Sequence, residues 1–111
     1  MIFTESLKSN IDFKNIFSLH NSKANKYLVM YVANNNKNIN RLGISVSKKV
    51  GNSVKRHYIK RCIKEAYRLH ENMFNSGLDI VVIARQGASD INYHELESAL
   101  LHLMSKNKVF L

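Results

Sequence analysis

The chain has 111 residues, 45% of them apolar, five Phe, five Tyr and no Trp, and a formal net charge of +9. That length supports one modest core and a single domain over residues 1–111, and the composition is that of a folding chain. The charge narrows the partners to polyanions, while one cysteine, Cys62, excludes an internal disulfide and a multi-cysteine zinc site. No apolar run reaches membrane-spanning length, and the start MIFTESLKSN lacks the basic-then-apolar order of a signal peptide, so no membrane partner and a cytoplasmic location are expected.

Ser9 followed by Asp12 reads as a variant capping box for a short helix reaching about Leu19, with Phe13, Ile16 and Phe17 on one face. Residues 27–33 alternate, with Tyr27, Val29 and Tyr31 on one side and Leu28, Met30 and Val32 on the other. The asparagine-rich stretch 34–40 reads as a hairpin loop. Residues 41–47 alternate again, Leu42, Ile44 and Val46 inward and Gly43, Ser45 and Ser47 outward, which predicts an antiparallel neighbour for the first strand.

Gly51-Asn52-Ser53 carries a helix cap, and the helix that follows is expected to run to about Asn75 and stop at Gly77. Residues 79–84 (DIVVIA) are apolar on both faces and predict an interior strand. Asn92 and Glu95 form a capping-box pattern before a core-facing stripe of Leu96, Ala99, Leu100, Leu103 and Met104. The order helix, strands, helix, strand, helix predicts an α+β fold, an α/β sandwich.

Residues 48–68 hold eight Lys/Arg against one Glu, most of the net charge of the chain. At 100° per residue, Ile59, Cys62, Ile63, Ala66, Leu69 and Met73 gather on one side of the long helix. His57, Lys60, Arg61, Lys64 and Arg68 gather on the other as a stripe, with no acid expected in it before Glu71. Such a face is either solvated surface or a phosphate-binding surface, and its single sign favours phosphate. Lys48, Lys49, Lys55 and Arg56 extend it around the helix N-terminus, where free N–H groups and the helix dipole attract anions.

Phe13, Phe17 and Tyr31, above the polar Ser45 and Ser47, suit single-stranded RNA whose bases stack on aromatic rings. The same phenylalanines would equally pack the first helix onto a sheet. Catalytic chemistry is thinly supplied. His20, His57, His70, His94 and His102 share no metal-ligand spacing, carboxylates are unpaired, and Cys62 falls on the apolar side of its helix.

The stretch RLGISVSKKVGNSVKRHYIKRCIKEAYR resembles the signature region of the protein subunit of bacterial ribonuclease P. Ser47, Lys49, Gly51, Asn52, Val54, Arg56, Lys60, Arg61, Lys64, Glu65 and Ala66 carry the match. It continues at Asp12, Phe13, Ile16 and Phe17, at Tyr31, and at DIVVIAR with the last helix. The family's Arg-Asn-Arg triplet reads Arg56-His57-Tyr58 here, which removes a positive charge but leaves a hydrogen-bonding imidazole and a ring able to stack.

The resemblance implies a mixed sheet of about four strands with a left-handed β-α-β crossover. It also implies a protein cofactor for a catalytic RNA that removes the 5′ leader of precursor tRNA. The chain would be a monomer within the holoenzyme, with no catalytic residue and no metal site of its own, the Mg²⁺ being held by the RNA. Arg56, His57, Lys60, Arg61, Lys64 and Arg68 would bind the RNA subunit. Phe13, Phe17, Tyr31, Ser47 and Lys49 would hold the leader, and Arg41, Lys48 and Lys55 would add phosphate contacts. Two rivals are a generic structured-RNA-binding module, ribosomal or chaperone-like, and a protein-only ribonuclease using His57 with Arg61 or Lys60.

Overall fold

The computed structural model describes residues 4–7, 10–19, 21–74 and 76–107. Its elements are β1 (Thr4–Ser6), α1 (Asn10–Ser18), β2 (Ser22–Ala24), β3 (Leu28–Asn34), β4 (Asn40–Val46), α2 (Ser53–Leu69), β5 (Leu78–Ala84) and α3 (Tyr93–Lys106). The capping role expected of Ser9, and His20, lie outside the described residues.

The five strands form one mixed sheet in the order β1-β4-β5-β3-β2. It has one strand more than expected because β1 and β2, three residues each, edge the sheet and are too short to show a period. The predicted hairpin of β3 with β4 is not formed. β5 lies between them, antiparallel to β3 and parallel to β4, with Met30, Val82 and Ile44 in one cross-strand row. A strand apolar on both faces is most stable where both faces and both edges are covered, and that place is the centre.

The 34–40 loop therefore crosses the start of β5 instead of closing a hairpin. Asn35 N–H donates to Gly77 O at 2.9 Å, and Leu78 N–H donates to Asn40 Oδ1 at 2.9 Å. Gly77 has φ 79°, and a Cβ there would stand 2.8 Å from the Lys37 carbonyl, so no other residue fits without strain.

One face of the sheet carries the main core. Leu28, Met30, Val32, Leu42, Ile80 and Val82 meet Ile59, Ile63, Ala66 and Tyr67 of α2 and Leu96, Leu100, Leu103 and Met104 of α3. The Asn92–Glu95 capping box of α3 is formed in both directions. Tyr27 precedes β3 and packs on this core, not on the Tyr31 face as expected.

α2 ends at Leu69 rather than near Asn75, which is itself outside the described residues. A single helical turn, Glu71–Met73, follows and delivers Phe74 into the core against Tyr67, ring centroids 4.7 Å apart. Met73 thus leaves the helical face assigned to it and is 43% exposed, and Leu69, at the margin of the buried arc, is 51% exposed. Among the described residues the other face of the sheet is covered by α1 and Leu7, through a second small core of Leu7, Ile16 and Val81.

Candidate nucleic-acid interface

The corner between β4 and α2 is built by two caps. Ser47 Oγ accepts from Lys49 N–H at 3.2 Å, shaping the turn Lys48–Val50, and Asn52 Oδ1 accepts from Lys55 N–H at 2.9 Å to open α2. Val50 is buried and pins the turn, leaving Lys48 and Lys49 exposed. Lys55 sits 3.2 Å from the exposed Asp90.

Along α2, His57, Lys60, Arg61, Lys64 and Arg68 all lie on the solvent side, opposite Ile59, Cys62, Ile63 and Ala66. Here the expectation about acids is corrected: Glu71 is buried, and the carboxylate beside the stripe is Glu65. Arg68 donates to it twice, at 2.6 and 3.0 Å, which holds the Glu65 carboxyl below its ordinary pKa. Arg56, at the edge of the stripe, is partly buried, and its Nε has no hydrogen-bond partner among the described residues.

Arg41 is elsewhere. It donates to both Asp79 oxygens along one guanidinium edge, from Nε at 2.7 Å and Nη2 at 2.5 Å, and reaches Asp12 of α1 from Nη1 at 3.2 Å. This occupation ties α1 to the sheet and engages the guanidinium for which a phosphate contact is expected.

The α1 face of the sheet consists of three cross-strand rows: Arg41–Asp79–Ala33, Gly43–Val81–Tyr31 and Ser45–Ile83–Val29. The first row is locked to the start of α1 by Arg41. The second lies under Phe13, Ile16 and Phe17, where a Cβ on Gly43 would fall 2.6 Å from Phe13 Cζ. The third is only partly covered, and its Ser45 is exposed. Beside it Phe17 meets Tyr31 edge-on at 4.9 Å and Phe13 at 6.1 Å.

Phe13, Phe17 and Tyr31 are partly buried against the second core, and the partly covered third row beside them is the floor that a groove along α1 would use. The strand end at Ser47 leads from that floor to Lys49, at the start of the basic corner.

The other flank of α2 holds an arrangement that α2's own periodicity does not show. Tyr58, Arg61, Cys62 and Glu65 lie along one ridge and face Tyr93 of α3 across a cavity of about 330 Å³. The neighbouring Cys62 thiol, ahead of burial, raises the Tyr58 hydroxyl pKa. Among the described residues no hydrogen bond or ion pair joins His57 to a second titratable group, and no three His, Cys, Asp or Glu gather as a metal site. No helix among them is long and apolar enough to cross a membrane.

The model of the Ribonuclease P family matches residues 1–108. The chain belongs to the ribonuclease P protein family. It is 58% identical over 106 residues to the ribonuclease P protein component of Lachnoclostridium phytofermentans, covering 96% of this chain and 91% of that one. The solved RNase P protein of Staphylococcus aureus is 42% identical with a TM-score of 0.89, covering 96% of this chain and 97% of that one. The Thermotoga maritima RNase P protein is 32% identical with a TM-score of 0.83, over 92% and 96%. Membership gives the chain a role in ribonuclease P, and so in tRNA processing, with the α+β mixed-sheet fold of those structures.

Proposed function

We propose that this chain is the noncatalytic RNA-binding subunit of ribonuclease P. It assists a catalytic RNA in removing the 5′ leader of precursor tRNA, as a cytoplasmic monomer within the holoenzyme. The observation that carries the reading is the solvent-facing run of His57, Lys60, Arg61, Lys64 and Arg68 on a helix whose opposite side is buried. Like charges four residues apart repel by a few tenths of a kcal/mol per pair, and phosphates alongside reverse that cost.

Arg56, His57 and the stripe would grip the RNA subunit. The leader would lie along the Ser45–Ile83–Val29 floor, one base against Phe17 and Tyr31, with its phosphates toward Lys48, Lys49 and Lys55. Mg²⁺ and the hydrolytic chemistry would belong to the RNA; what the residues of this chain do is bind and orient.

The experiment mixes the protein with a bacterial ribonuclease P RNA and measures cleavage of a precursor tRNA at low Mg²⁺, beside RNA alone and protein alone. Cleavage stimulated only by the combination supports the subunit. Tight RNA binding without stimulation replaces it by a generic RNA-binding module. Cleavage by protein alone, abolished in His57→Ala, replaces it by a nuclease.

A further inference from the structure

Tyr58 is 52% exposed on α2, a large aromatic ring standing among His57, Lys60 and Arg61. Cys62, one turn further on, lines the same cavity beside it. Across the gap, Tyr93 opens α3 with its ring partly packed on the main core and its hydroxyl donating to Glu97 at 3.4 Å. The cavity between them, about 330 Å³, is at the lower end of the range of small-molecule pockets.

A second depression, about 250 Å³, adjoins it, lined by Arg61, Lys64, Glu65 and Arg68. The two share Arg61 and Glu65, so an aromatic half and a cationic half meet along one ridge of α2. A nucleotide needs that pairing: a π surface for its base and fixed positive charge for its phosphate. A base stacked inside a duplex cannot enter such a gap, whereas an unstacked one in a loop or bulge can.

Resting on the RNA-binding reading of α2, we propose that this cavity binds one unstacked RNA nucleotide, its base against Tyr58 and Tyr93 and its phosphate at Arg61. Glu65 sets the base preference. Each of its oxygens takes one bond from Arg68 and keeps a further lone pair, and the side chain lines both depressions. A carboxylate there accepts from an exocyclic amino group, which cytosine, adenine and guanine carry and uracil lacks.

The test titrates the intact protein with cytidine and uridine tetranucleotides, following affinity and backbone amide NMR shifts. Wild-type protein is expected to bind the cytidine probe more tightly, with shifts at Tyr58, Cys62 and Tyr93 that are separate from those at Phe17 and Tyr31 in the α1 groove. Tyr58→Ala, at an exposed position, should weaken cytidine binding roughly 5- to 150-fold, the range one stacked base commands. Tyr58→Phe should retain it, and Glu65→Gln should narrow the gap between the probes. Shifts confined to the α1 groove, or unchanged affinity in Tyr58→Ala, overturn the proposal. If precursor cleavage is stimulated while Tyr58 stays unmoved, the cavity proposal fails and the subunit reading stands. Movement at Tyr58 without stimulation gives the reverse.

Discussion

Arg41→Ala separates two occupations for one guanidinium. The side chains of Arg41 and Asp79 are 18% and 8% exposed, and the second carboxylate, Asp12, is 32% exposed. Removing one partner of a fully buried pair costs about 3–5 kcal/mol, because the other charge is left stranded. Both members here keep some water, so the Asp79 arm is reduced to about 2 kcal/mol. The more exposed Asp12 arm adds about 0–1 kcal/mol. The expected loss is about 2–3 kcal/mol, read as a shifted urea midpoint with unchanged slope, and a fall in Tm on the order of 10 °C for a domain of this size. A double-mutant cycle with Asp79→Asn should return most of that loss as coupling. The salt dependence of RNA binding should stay as in wild type once the folded fraction is matched. Stability unchanged within about 0.5 kcal/mol, with a salt slope reduced by roughly one phosphate contact, would refute the clamp and return Arg41 to the RNA surface.

Gly43→Ala places a methyl 2.6 Å from Phe13 Cζ and 3.3 Å from Leu7 Cδ2. The ring must move, and thermal unfolding should show a loss of about 1–3 kcal/mol, with weaker leader binding. Phe17→Ala should cost less stability than the roughly 3–5 kcal/mol of a fully buried Phe, yet lower affinity for a single-stranded leader by about 1–3 kcal/mol. Unfolding with full leader affinity in the folded fraction would make Phe17 core alone. Arg61→Ala should reduce the salt slope for ribonuclease P RNA by roughly one contact, measured by binding across a salt series; an unchanged slope would make it ordinary surface. At Asp79, burial pushes the carboxyl pKa up, but bonds from Arg41 and Asn35 and the charges of Arg41 and Lys37 pull it to a net value below the ordinary one. A depressed folded pKa gives stability that is present above the unfolded pKa, about 3.9, and lost as pH falls through the folded value. Urea midpoints should therefore drop below about pH 4, and Asp79→Asn should flatten that drop.

Much of this was legible because periodicity reports burial. The two faces of α2, the apolar run of β5 and the Asn92–Glu95 box follow from residue spacing, and the solvent-facing stripe follows from charge on one side. What spacing cannot report is which strands pair. Residues 28–46 read as a hairpin because alternation carries no information about a third strand arriving between two others. Arg41 looked like one more free cation, although an Asp inside an apolar strand demands a buried partner, and Asp79 could have named it. The cavity at Tyr58 needs Tyr93, thirty-five positions away, and no pattern within α2 points to it.

The central place of β5 also has a consequence for how the chain is made. β3 and β4 leave the ribosome first, yet neither pairs with the other, and each offers β5 an unpaired edge until residue 84 has been synthesised. The sheet thus closes late, in a single long-range step, and a nascent or truncated chain ending before β5 carries two open edges ready to pair with a neighbour. A protein so cationic keeps such chains apart by repulsion while they wait, and so the charge that would grip RNA in the finished molecule also guards its unfinished forms against aggregation.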